Sequence, residues 1–331
     1  MGGTNCIYLE VRVLSLISRP VYSSLHDNIA DCFSSRDRVI VAGESSEDRA
    51  SPLVEIRRHE PDRFWIISET DELNRASSSF RGVTTELSLR DPSQLLSAVA
   101  HAASGVGLDI DLTSLPAHIW APLIKICWDN GLSCRALYIE PDDYTRSDAP
   151  RIGALFDLSE RILGISPLPG FASFRRIDED KALLVPLIGF EGARLSFIVD
   201  HLEPKKENIF PIVGAPGFKK EYPFHSFLGN QIPLLDTKSW MNAQYSRANC
   251  AFSAYYAIDA VSQARRDYFL RIAPIGTKPH CLGAVLYALA HPGSCELIYD
   301  HPKRSRARTS GVSRVSAFDI GTFQSELALA C

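Results

Sequence analysis

Apolar positions in this chain gather into short continuous runs, with longer patterns of helical period between them. The runs RVIVAG (38–43), FWIIS (64–68), LDIDL (108–112) and RALYIE (135–140) are built from Val, Ile, Leu and aromatic side chains. Strands buried on both faces read this way, and they belong to parallel sheets covered by helices. Between two of them, DPSQLLSAVAHAAS (91–104) opens on an Asp-Pro entry and carries Leu95, Val99 and Ala102 on one stripe, the pattern of a helix with one buried face. Strands alternating with helices predict an α/β fold, and right-handed crossovers bring the carboxyl ends of the strands to one edge. At the N-terminus Ile7, Leu9, Val11 and Val13 alternate with polar residues. This predicts a half-buried strand over 6–17 rather than a leader, added to a sheet edge or pairing two halves.

The pattern occurs twice. The segment at 109–141 matches that at 271–302: Cys134, Tyr138 and Pro141 fall on Cys295, Tyr299 and Pro302 at one constant spacing, and Pro116 falls on Pro279. Upstream, 38–68 matches 183–213, with Gly43 on Gly189, Arg49 on Arg194, and Glu60-Pro61 on Glu203-Pro204. CAFSAYYAIDAVSQARRDYF (250–269) supplies the second half with its counterpart of the 91–104 helix. The expected architecture is therefore two tandem Rossmann-like halves with mainly parallel sheets, arising by internal duplication. The first covers 1–145, with its core repeat at 38–141 behind the N-terminal strand. The second covers 146–331, with a turn-rich linker, a core repeat at 183–302 and a C-terminal extension.

Composition narrows the function classes. The chain of 331 residues is 45% apolar and 22% charged, with a net charge of −4, so as a whole it has no electrostatic footprint for non-specific nucleic-acid binding. None of the eight cysteines forms a CxxC pair, which fits thiols used as small hydrophobes in a reducing compartment and offers no zinc or other metal site. The longest uncharged apolar runs, such as Cys281 to Ala290, are near half a membrane span. A cytoplasmic location and no membrane partner are expected.

Ligands of open α/β sheets bind beyond the carboxyl ends of the strands. The turns placed there carry Ser45, Ser46 and Arg49, then Thr113 and Ser114, then Glu191 and Arg194, and last Gly276, Thr277 and Lys278. In the last, GTKPH precedes a long apolar helix that Thr277 can cap, with Pro279 in its first turn. A lysine at a helix N-terminus opposes the helix dipole, and an anion held between them removes the conflict. These residues form the expected set for a phosphate-bearing ligand. Arg49 and Arg194 have a second reading as structural ion pairs with Glu47 or Glu191. Asp109 and Asp111 share one face of a strand, a pattern open to Mg²⁺ but without a counterpart in the second half. Catalysis has only Lys278 and His280 as candidates at the turn, with His118, Glu140 and Asp300 nearby in the pattern. The basic loop 303–308 (Lys303, Arg304, Arg306, Arg308) is a solvated loop or a contact for an acidic partner or a nucleic-acid backbone.

The repeat and the turns at Ser45, Ser46, Thr113, Ser114, Thr277 and Lys278 resemble, in architecture, CRISPR-associated Rossmann fold sensors in fused, duplicated form. The resemblance implies a nucleotide bound across the seam between the halves. It also implies a regulatory or accessory role in bacterial antiphage defence beside a separate effector protein, with no cofactor and no turnover required. Two alternatives stand beside it: an enzyme cleaving a phosphodiester or N-glycosidic bond of a nucleotide, and a ligand-free scaffold subunit of a larger ATPase-containing complex.

Overall fold

The computed structural model describes residues 20–33, 37–103, 105–151, 153–305 and 308–330. The strand expected over 6–17, Cys6, Cys331 and Arg306 of the basic loop lie outside the described residues.

The chain first lays down β1 (Ser23–His26), β2 (Arg38–Ala42), α1 (Ser51–His59), β3 (Phe64–Glu69) and the hairpin β4 (Arg75–Phe80) and β5 (Val83–Ser88). There follow α2 (Pro92–Ala103), β6 (Gly107–Asp111), α3 (Ala117–Asp129) and β7 (Cys134–Ile139). After a connection of short antiparallel pairs come β8 (Ala182–Ile188), α4 (Gly192–Leu202), β9 (Ile212–Gly214), β10 (Gln244–Ser246) and α5 (Ala251–Ala264). The series ends with β11 (Phe269–Pro274), α6 (Lys278–Ala290), β12 (Cys295–Tyr299), β13 (Val315–Asp319) and α7 (Ile320–Ala330).

Two mixed sheets result. The first has the order β1-β13-β7-β6-β2-β3-β4-β5, and the second runs β12-β11-β8-β9-β10 with Ser166–Pro167 added antiparallel beside β12. Four strands are parallel in the same order in both sheets, β7-β6-β2-β3 and β12-β11-β8-β9. The register corresponds too: Leu108 lies opposite Cys134 as Leu270 lies opposite Cys295. One step on, an ion pair recurs with its signs exchanged, Arg135 on Asp109 in the first sheet and Arg271 on Glu296 in the second. Asp109 also accepts from Arg38 at 2.6 Å, so both its oxygens are held by arginines.

The sheets differ past this common part. The first continues into the antiparallel hairpin β4–β5, whose serine- and threonine-rich alternation belongs to a sheet edge rather than to a buried parallel strand. The C-terminal residues also depart from expectation. Placed by sequence as an extension of the second half, they return to the first sheet, where β13 pairs antiparallel with β7 and β1 with β13.

The two halves share one core. Helix α6 is apolar on all sides, a pattern that requires burial all round. Its Leu282, Val285 and Leu286 join Leu123 and Cys127 of α3 in a single cluster that reaches both sheets. This packing brings the carboxyl edges of β6 and β11 to a common seam. The described cysteines Cys32, Cys127, Cys134, Cys250, Cys281 and Cys295 are free and buried. No helix among the described residues is long and apolar enough to cross a membrane.

Candidate functional site

The seam is built on the turn after β6 and the start of α6. Asp111 organises the first: its carboxylate accepts from the backbone N–H of Thr113 at 2.8 Å and of Ser114 at 2.9 Å, and from the Ser114 hydroxyl. Ser114 Oγ in turn accepts from Gly43 N–H at 2.8 Å, tying the ends of β2 and β6 together, and Thr113 Oγ1 accepts from Ile139 N–H. On the other side Thr277 is the N-cap of α6, accepting from His280 N–H and donating to Ala248 O at 2.7 Å. The Lys278 ammonium leaves its own helix start and crosses the seam. It donates to the carbonyls of Leu112, Thr113 (2.7 Å) and Leu115 (2.9 Å). Burial above all, with Arg49 and Arg308 nearby, lowers its pKa well below the usual lysine range, while three converging carbonyls keep its three protons in use.

Arg49 and Arg194 are also committed. Arg49 donates to Glu47 at 2.7 Å and to the Tyr138 hydroxyl at 3.0 Å; Arg308 and Thr309 close on the same carboxylate at 2.6 and 2.7 Å. Burial opposes ionisation of Glu47, but Arg49, Arg308 and Lys278 together hold its pKa well below the carboxylate range. Arg194 grips Asp300 with two bonds, 2.7 and 2.6 Å, and gives a third to Ile275 O. Glu191 accepts from Ser159 and lies 3.5 Å from Arg304. Neither arginine is therefore a loose guanidinium awaiting a phosphate.

His280 is enclosed, with Nε2 against Ser246 Oγ and Arg247 O, and burial pushes its pKa down to about 4. Ser45 accepts from Glu47 N–H and faces a separate recess beside α1, while Ser46 is exposed and lines neither chamber described below. Among the described residues, no group of three His, Cys, Asp or Glu could hold a metal ion.

Two chambers meet at this wall. The larger, about 460 Å³, lies between the ends of β3 and β6 on one side and of β11 and β12 on the other. Four cations line it beside Lys278 (Arg161, Lys303, Arg304 and Arg308) against the three carboxylates Glu47, Glu69 and Asp71, so its balance is positive. Trp120 and His301 also line it, and Trp120 Nε1–H and His301 Nδ1 are buried without a hydrogen-bond partner. His118 stands beside them, its ring 5.8 Å from His301, and burial with that neighbour pushes its pKa down to about 4.

The smaller chamber, about 70 Å³, lies over the ends of β8, β9 and β11. Its floor is Gly189, Gly214 and Gly276, and its walls include Tyr138, Tyr144, Phe190, Phe218 and Tyr222. The glycines let the strand ends close up: a methyl on Gly276 would stand 2.9 Å from the carbonyl oxygens of Leu187 and Ile188. Trp120, Arg161, His301 and the aromatic walls carried no local signal of a site, save that Phe190 directly follows Gly189 at a strand end.

Glu140, the positional counterpart of Asp300, has no arginine gripping it. Burial, aided by Asp142 and opposed by Arg314, raises its pKa to about 7. The folded protein then binds a proton that the unfolded chain has released, so stability falls as pH rises from about 4.5 to about 7. Glu140→Gln is expected to match the parent at pH 4.5 and to exceed it by about 2–3 kcal/mol at pH 8, at ~1.4 kcal/mol per pKa unit. Urea unfolding of both proteins at the two pH values measures this.

Comparison of the chain with family models, with curated proteins and with solved structures finds no match.

Proposed function

We propose that the protein is a regulatory or accessory protein that binds a phosphate-bearing ligand, by class a nucleotide, in the seam between two halves descended from one duplicated module. The observation that carries the ligand reading is the larger chamber: a positive, partly enclosed space at the carboxyl edges of two α/β sheets. The shared strand order and the sign-exchanged ion pair support the duplication. Of the residues expected to touch ligand, Thr113, Ser114, Gly276 and Lys278 line this chamber as wall, and the phosphate contacts pass to Arg304, Arg161 and Lys303. The setting in bacterial antiphage defence and the separate effector protein rest on the architectural resemblance.

A second reading is cleavage of that ligand. It is favoured by His118 and His301, two imidazoles on one wall of the chamber with Glu69 Oε1 3.6 Å from His118 Nε2. Nucleotide recovered intact after long incubation removes it.

Calorimetry with a panel of nucleotides and inorganic phosphates tests the main reading. At least one is expected to bind, more weakly as salt rises, and Arg304→Gln is expected to weaken it about tenfold, ~1.4 kcal/mol. Absence of binding by every member of the panel to folded protein rejects the proposal.

A further inference from the structure

The larger chamber accounts for an anion and leaves the smaller one unused. The two are neighbours, since Gly276, Lys278, Arg304 and Arg308 line both. Their linings differ in kind. In the smaller chamber Phe190 meets Tyr144 and Tyr222 edge to face, with centroids 5.5 and 5.1 Å apart, and Tyr138 stacks with Phe218 at 5.9 Å. The Tyr138 hydroxyl is anchored by Arg49 and stands 3.4 Å from that of Tyr144. The rings are thereby held in place around a floor without side chains. Arg49 and Arg194 on this wall are taken up by carboxylate and carbonyl partners, so they offer little to a second anion.

A rigid aromatic box with a few fixed polar groups, over the point where β8 leads to β9 on one side and β11 lies on the other, suits a small planar apolar group. Its 70 Å³ is far below what a whole nucleotide fills, so no more than one end of such a ligand enters it.

We infer that the two chambers hold the two ends of one ligand: a heteroaromatic ring in the aromatic chamber and a polyanionic tail in the positive one, passing over Gly276 beside Lys278. This rests on the nucleotide reading above and adds where each part lies. It predicts that ring and phosphates contribute separately to affinity, through different side chains.

The test uses the full chain and calorimetry with three probe sets: inorganic triphosphate, the four ribonucleosides, and the four ribonucleoside 5′-triphosphates. At least one nucleoside triphosphate is expected to bind ten- to a hundredfold more tightly than inorganic triphosphate. Phe190→Leu and, separately, Tyr144→Leu are expected to remove at least tenfold of that gain while leaving inorganic triphosphate within twofold; thermal unfolding confirms that each variant is folded. Arg304→Gln is expected to weaken both probes. Inorganic triphosphate binding as tightly as every nucleotide, or nucleotide affinity untouched by both ring variants, overturns the two-chamber inference and leaves the seam reading standing. No binding by any probe rejects the seam reading itself.

Discussion

Lys278→Met is expected to destabilise the protein by about 3 kcal/mol in urea or guanidinium unfolding. The variant keeps the stem that lines the seam and removes the ammonium from the carbonyls of Leu112, Thr113 and Leu115. A net hydrogen bond to a charged donor contributes ~1.5–3 kcal/mol, and a buried acceptor left bare costs ~1–3 kcal/mol, with strong non-additivity when three share one donor group. Against this stands relief: the ammonium is costly to bury and is repelled by Arg49 and Arg308. Three convergent acceptors outweigh that repulsion, because the same turn is already pinned to β2 through Ser114 and cannot turn its carbonyls to water without breaking that link. A variant as stable as the parent, or more stable, shows that repulsion wins and that Lys278 does not fasten the halves together. Lys278→Arg separates charge from shape: a guanidinium keeps the charge but cannot place three donors on one point, so partial loss is expected.

The contrast between Lys278 and its sequence context shows what the chain makes legible. The strands at 38–42, 64–69, 107–111 and 134–139 are readable because burial on both faces writes a continuous apolar run. The cap at Thr277 is readable because capping is settled within four residues. The partner of Lys278 is not, since its acceptors are backbone carbonyls in the other half of the chain, and a carbonyl has no sequence signature. The same holds for the chambers. Trp120 sits in a helix whose apolar residues all read as core, and only tertiary placement leaves its N–H without a partner. Phe190, Phe218 and Tyr222 lie in or beside connections, where an aromatic residue predicts neither burial nor exposure. Arg49 and Arg194 were legible as a repeated pair, and ion pairing was one of their two readings. Glu47 is the partner of Arg49 as that reading has it, and Arg194 lies 3.9 Å from Glu191 but gives its short bonds to Asp300 at the end of β12. Local charge names the acceptor of Arg49 and only the longer contact of Arg194, because Asp300 is far away in sequence.

That difference sets the second large effect. Arg194→Met is expected to cost about 3–5 kcal/mol, because it strands Asp300, which has 0% exposure, without the two bonds that now satisfy it. It also leaves the Ile275 carbonyl unpaired at the edge of the aromatic chamber. In the parent, burial pushes the Asp300 pKa up and Arg194 more than offsets it, so the group titrates below the usual range. Removing the arginine leaves burial opposed only by the more distant Arg304 and a backbone hydrogen bond. The folded variant then holds a proton on Asp300 that the unfolded chain gives up, so its deficit is expected to be largest near neutral pH and to shrink as the pH falls toward 4. Asp300→Leu alone is expected to be costly in its turn, leaving Arg194 buried with one carbonyl and the longer contact to Glu191. The double variant Arg194→Met/Asp300→Leu recovers most of the loss, since an apolar pair of similar volume can replace a buried ion pair at little cost. A double-mutant cycle by denaturant unfolding at pH 5 and pH 7.5 measures the coupling, expected at about 2–3 kcal/mol at the higher pH and less at the lower. A pH-independent loss below ~1 kcal/mol for Arg194→Met, or strictly additive single variants, means that the carboxylate reaches water and that the end of β12 is not closed by this pair.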